Sequence, residues 1–153
     1  MGFFVSKAKY KNGTPTFKEA TRVYPMFNGL LFRLCDPLKG RWGFYNDSPK
    51  YTMHVAILFK HDSQIVPLGS ATLHRVTDRE NSGGDEMKGH LVEVDIAPLA
   101  TEMFVKGQVT GWNVSNLEAR TSADGRVFRL RGQKDRSNKY MGLVTPVKRM
   151  STG

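Results

Sequence analysis

The sequence predicts an all-β protein, a single antiparallel β-sandwich or flattened barrel with flexible basic N- and C-terminal tails. Three observations carry this. Apolar residues alternate with period two, above all Tyr51, Met53, Val55, Ile57 and Phe59 against Thr52, His54, Ala56 and Leu58, the pattern of a strand that lays one face on a core. Short runs of this kind recur with Gly, Pro or Asn between them, as in sandwiches and barrels. No window presents a convincing helical face. A length of 153 residues suits one domain with a real core and is short for two. We place that domain at residues 20–130, between basic segments at 1–19 and 131–153.

The strands follow in order. Thr21 to Tyr24 and Gly29 to Leu34 flank a turn marked by Pro25, Asn28 and Gly29, and in the second of them Leu30, Phe32 and Leu34 alternate with Leu31 and Arg33. The turn Asp36-Pro37-Leu38-Lys39-Gly40 leads into Arg41 to Phe59. There Asn46-Asp47-Ser48-Pro49 should reverse the chain, because the side-chain oxygens cap their own backbone and Pro49 cannot donate to a ladder. We read 41–59 as a β-hairpin holding the largest concentration of buryable area. His61-Asp62-Ser63 reverses the chain into Gln64 to Leu68, and a strand covers Ala71 to Val76. Thr77 to Gly89 has almost no apolar content and reads as an exposed loop. Leu91 to Ile96 is a strand broken by Pro98, Met103 to Val109 the next, with Gly107 as a bulge or close-approach point, and Trp112 to Ala119 another. Val127 to Leu130 could add an edge strand after the Asp124-Gly125 turn.

Within this order lie the runs Trp42-x-Phe44-Tyr45-Asn46-Asp47 and Pro98-x-x-Thr101-Glu102-x-Phe104-x-x-Gly107. Together with Ser63 to Gly69 they resemble the small β-domain at the N-terminus of kinetoplastid calpain-like proteins, which also occurs alone in small calpain-related, sometimes myristoylated, relatives. The matching pieces extend over roughly the central half of the chain. The resemblance implies a non-catalytic targeting or scaffold module of the cell cortex, flagellum or sub-membrane cytoskeleton, without the protease core.

The formal charge of +9 is unevenly spread. Lys and Arg against Asp and Glu number five to one over residues 1–22, nine to eleven over 23–119 and nine to two over 120–153. The positive charge therefore sits on the ends of a slightly acidic body, so an anionic partner is met by the tails. The basic residues expected to touch an anionic membrane are Lys7, Lys9, Lys11, Arg129, Arg131, Lys134 and Arg136. Gly2 with Ser6 fits the N-myristoylation pattern, which makes Gly2 the candidate lipidation site, and the neighbouring lysines supply the second signal that one acyl chain needs. Against modification stand the bulky Phe3, which acylating enzymes generally disfavour, and the lack of a nearby cysteine for a second acyl group. With no secretory signal and no long apolar run, the sequence is read as cytoplasmic, soluble or membrane-peripheral.

Catalytic and metal readings are weak. Cys35 is the single cysteine; it lies at a strand end in Leu34-Cys35-Asp36-Pro37, without the neighbours of a papain-type nucleophile, and reads as a buried structural residue. His54, His61, His74 and His90 lack recognisable flanking motifs. Asp85-Glu86 and Glu93/Asp95 match no calcium loop, and Glu93 and Asp95 should form the solvated face of a strand. We expect no metal, no cofactor and no enzymatic activity. Arg126 to Arg136 mixes Arg with Phe128, yet neither a phosphate loop nor an RNA-binding signature accompanies it, and nucleic acid is not the expected partner. The expected partners are an anionic membrane surface or a cortical cytoskeletal protein. The alternative is a fatty acyl ligand held between the sheets.

Overall fold

The computed structural model describes residues 10–78, 86–121, 127–130 and 144–147. Among them the strands are β1 (Arg22–Met26), β2 (Leu31–Asp36), β3 (Arg41–Asn46), β4 (Thr52–Lys60), β5 (Gln64–Pro67), β6 (Thr72–Asp78), β7 (Glu86–Ile96), β8 (Thr101–Gln108), β9 (Trp112–Arg120), β10 (Val127–Leu130) and β11 (Val144–Val147). They form two antiparallel sheets, ordered β1-β2-β3-β8-β5 and β11-β10-β9-β4-β7-β6. The architecture is a sandwich and not a closed barrel.

The alternation in β4 works as the sequence predicts. Met53, Val55, Ile57 and Phe59 are fully buried and meet Val92, Val94 and Ile96 of β7, Leu117 and Ala119 of β9, and Leu31, Phe44, Phe104 and Val105 of the opposite sheet. Phe104 is the joint of this layer, in edge contact with Phe44 at 5.0 Å and 6.0 Å from Phe59 between ring centres.

Residues 41–59 do not form a hairpin. β3 pairs with β2 and β8, whereas β4 pairs with β7 and β9 in the other sheet. The Asn46–Ser48 turn therefore carries the chain across the sandwich, and the reason is polar: Asn46, Asp47 and Ser48 are buried, and the side chains of Asn46 and Asp47 bind backbone from distant segments. A simple hairpin turn would leave them in water.

Three other expectations change. β2 is buried on both faces, because residues 10–20 cross its outer side: Phe17 joins Phe32, Leu34 and Tyr45 in a second apolar cluster, with Tyr10, Ala20 and Val23 against it. The packed body thus reaches back at least to residue 10, ahead of the boundary expected at 20, and the apolar rings in the basic stretch help to hold it. The described part of the span 77–89 is ladder, since β6 and β7 pair as far as Asp78 opposite Glu86; backbone pairing needs no apolar side chains. Residues 79–85 lie outside the described residues. Val127–Leu130 does pair with β9, but β11 covers its outer side, which puts a strand inside the segment read as a tail.

Pro25 sits within β1, an edge strand that does not need the missing N–H. Gly107 is the close-approach point the sequence marks. Its φ is +138°, a Cβ there would meet the Gln64 carbonyl oxygen at 2.0 Å, and its N–H donates to the Gly40 carbonyl at 2.9 Å.

Candidate functional site

Several of the family-like residues gather at the corner where β3 ends, and among them Asn46 and Asp47 work on backbone. Asn46 is fully buried; its Nδ2 lies 2.7, 3.0 and 3.2 Å from the carbonyls of Tyr51, Ile96 and Ala97. Its Oδ1 accepts from Ser48 N–H at 3.0 Å. Ser48 Oγ in turn accepts from Lys50 and Tyr51 N–H. One side chain thus joins the β3–β4 crossing to the end of β7.

Asp47 performs the same service for the N-terminal segment. Its Oδ2 accepts from Lys11 N–H at 2.7 Å, and its Oδ1 from Asn12 and Gly13 N–H at 3.0 and 3.1 Å. Tyr45 donates its phenol to Oδ1 at 2.9 Å, and Asn12 Nδ2 donates to the Asp47 carbonyl at 2.8 Å. Burial, and then the bond to Asp47, push the Tyr45 phenol far above its ordinary range. Tyr10, edge-on to Phe32 and Tyr45, is raised by burial and by the Asp47 charge. A carboxylate surrounded by three N–H groups and a phenol has its lone pairs committed. It clamps the N-terminal segment to the end of β3.

The segment is tied again further on. Thr16 N–H donates to Thr101 Oγ1 at 3.0 Å, Phe17 packs beside Gly43, and Glu19 lies 3.9 Å from Arg41 Nη2. Arg41 meanwhile bonds Asp36 Oδ2 through Nε and Nη2 at 3.1 and 2.8 Å, which pulls the Asp36 carboxyl below its ordinary value. Trp42 is half-buried, edge-on to Phe59 and Trp112 at 5.3 and 5.2 Å. Phe44 and Phe104 are core. Pro98 lies exposed in the turn closed by Ala100 N–H on the Ala97 carbonyl, and Glu102 accepts from Ser70 Oγ at 3.3 Å.

Of the basic residues expected to meet a membrane, Lys11 is exposed with its backbone clamped by Asp47, and Arg129 lies on β10. Gly2, Lys7, Lys9, Arg131, Lys134 and Arg136 lie outside the described residues. The outer face of the larger sheet brings His54 to Asp95 (2.6 Å) and Glu93 (3.5 Å), with His74 3.8 Å from Glu93. Among the described residues no cluster has metal-binding geometry. Cys35 is buried, with burial as the main cause of its raised thiol ionisation; the group on its sulfur is Arg33 Nη1, at 3.1 Å. Sequence reasoning missed Asp47's reach to residues 11–13, seeing only a turn former. The signal was an aspartate beside tyrosine in a stretch otherwise being buried.

The family of proteins sharing a domain of unknown function, DUF1935, matches residues 10–122, a span that takes in the clamped N-terminal segment and β1 to β9. The chain belongs to the DUF1935 family. Two solved structures share its fold. A Leishmania major hypothetical protein is 49% identical, with a TM-score of 0.64 over 76% of this chain and 94% of that one. The NMR structure of SMP-1, a small myristoylated protein from Leishmania major, is 34% identical, with a TM-score of 0.64 over 81% of this chain and 88% of that one. No curated protein matches. These likenesses support a small protein of a kinetoplastid family, and no helix among the described residues is long and apolar enough to cross a membrane.

Proposed function

We propose that this DUF1935 protein is a calpain-related, non-catalytic targeting or scaffold module, acting at the cytoplasmic face of a membrane or on the cytoskeleton beneath it. Its N-terminal segment is the arm that faces the membrane. The observation that carries this is the 34% identity to a small myristoylated protein in a chain that itself begins Met-Gly with Ser6 and three lysines close behind. The Asp47 clamp adds a physical role, because it fixes Lys11 to Gly13 on the domain. A group on Gly2, eight residues before Tyr10, is then leashed within at most about 29 Å of the packed body.

The non-catalytic reading draws support from Cys35, whose described neighbour is an arginine and not a histidine. Cys35→Ala should leave membrane binding unchanged, and calcium-stimulated peptide cleavage that vanishes in this variant would contradict the reading. A fatty acyl ligand between the sheets is the weaker alternative, since Leu31, Phe44, Ile57, Phe59 and Phe104 already fill that layer at 0% exposure.

The test is to produce the full chain with an N-myristoyltransferase, measure its intact mass, and sediment it with vesicles containing anionic lipid. Acylated protein should stay bound at high salt, and Gly2→Ala should bind weakly and be released by salt. Equal binding by both, insensitive to salt, would place the membrane contact on the β-domain and overturn the arm.

A further inference from the structure

Arg33 is in an unusual position for a charged residue. It is 7% exposed, on a strand whose neighbours Phe32 and Leu34 are core, and its guanidinium carbon lies 4.3 Å from the ring centre of Tyr24, 4.5 Å from Trp42 and 4.7 Å from Trp112. These rings come from β1, β3 and, across the sandwich, β9. Their π faces attract a cation, the more so where burial removes competing water. Of its five N–H donors the described residues engage Nη1, on Cys35 Sγ at 3.1 Å. Among those residues no carboxylate lies within ion-pair distance of it.

Such a group keeps its charge, although burial lowers its ionisation from the ordinary value, because arginine starts far above neutrality. Buried charges are normally paired, and the guanidinium fork matches a carboxylate or phosphate through two parallel bonds. Tyr24 stands on β1, an edge strand of its sheet, so the aromatic cluster lies toward the margin of the sandwich and not at its centre.

We propose that Arg33 is an oxyanion-binding centre: its free N–H edge takes a carboxylate or phosphate group, while Tyr24, Trp42 and Trp112 wall the site. The aromatic walls favour an oxyanion carried on an apolar or aromatic body over a small hydrated ion. The site is separate from the Asp47 clamp and does not depend on the membrane role proposed above.

The chain offers a direct readout, since Trp42 and Trp112 are its two tryptophans and both indole N–H signals report on this cluster. The full-length protein is titrated with acetate, inorganic phosphate and benzoate, and with benzyl alcohol as the uncharged counterpart of benzoate, while the indole and Arg33 Nε–H resonances are followed by NMR. Benzoate should shift all three signals saturably and bind at least tenfold more tightly than acetate; benzyl alcohol should not shift the Arg33 signal. A phosphate response stronger than that of either carboxylate would keep the oxyanion site and assign it to phosphate-bearing ligands. Arg33→Lys, which keeps the charge and loses the fork, should weaken binding about tenfold, and Arg33→Met should abolish it. Benzoate and benzyl alcohol giving equal shifts in the wild type, or no anion shifting the Arg33 signal, would overturn the proposal without reliance on any variant.

Discussion

Asp47 joins more of the molecule than its size suggests, because its two oxygens collect the N–H groups of residues 11, 12 and 13 and the phenol of Tyr45. Removing a buried acceptor leaves each donor unsatisfied, and bonds to a charged acceptor are the stronger kind. Asp47→Ala should therefore cost roughly 3 kcal/mol or more, read by urea denaturation, and should also make residues 10–17 more accessible to protease. Tyr45 carries a pH signature. Its phenol is raised in the folded state, so the bound proton stabilises the fold fully below the unfolded value near 10 and this contribution is lost as pH rises through the folded value. Alkaline titration should show Tyr10 and Tyr45 ionising later than free tyrosine, and Tyr45→Phe should lose less stability than the wild type above pH 10. At the acid end Asp36, lowered chiefly by Arg41, stabilises above its unfolded value and ceases to as pH falls through the folded one.

β4 is the element on which the larger sheet depends, paired on both sides by β7 and β9 and fully buried at Met53, Val55, Ile57 and Phe59. Truncation there removes transfer energy and leaves a cavity. Phe59→Ala should destabilise by about 3 to 5 kcal/mol, measured as a shift in urea midpoint at constant slope. Lys50→Ala, in the exposed turn before the strand, should be nearly silent. Trp42→Ala should fall between them, because its ring is half-exposed while contacting Phe59, Trp112 and Arg33. Equal melting temperatures for all three variants and the wild type would mean that this strand does not anchor the core.

For the whole molecule the charge distribution sets how it meets a surface. The slightly acidic stretch 23–119 has no net attraction to an anionic bilayer, whereas the ends carry an excess of Lys and Arg. Each basic residue near such a surface contributes on the order of 1 kcal/mol, fading within a Debye length of about 8 Å at physiological salt. Replacing Lys7, Lys9 and Lys11 together by Gln should release the unacylated chain from anionic vesicles at lower salt, as measured by sedimentation. Since Lys11 is held through its backbone and not its ammonium, this change should leave the melting temperature unaltered. Vesicle binding unchanged by the triple substitution would move the contact elsewhere.

The sequence alone determined the all-β class, most strand positions, the inward face of β4 and the special role of Gly107, because period-two burial, turn chemistry and a positive φ are local properties written in neighbouring residues. Tertiary structure decided which strands are partners. Residues 41–59 look like a hairpin locally, and the chain instead crosses between sheets because Asn46 and Asp47 find acceptors and donors at Ile96, Ala97 and residues 11–13, far away in sequence. The same holds for the N-terminal segment, whose lysines mark it as solvated while Tyr10 and Phe17 pack it onto β2. Arg33 is the sharpest case: alternation on β2 assigns it a face and nothing more, and only the meeting of β1, β3 and β9 encloses its charge in three aromatic rings. Long-range polar and cation–π contacts depend on side chains brought together by folding, and no spacing along one strand encodes them.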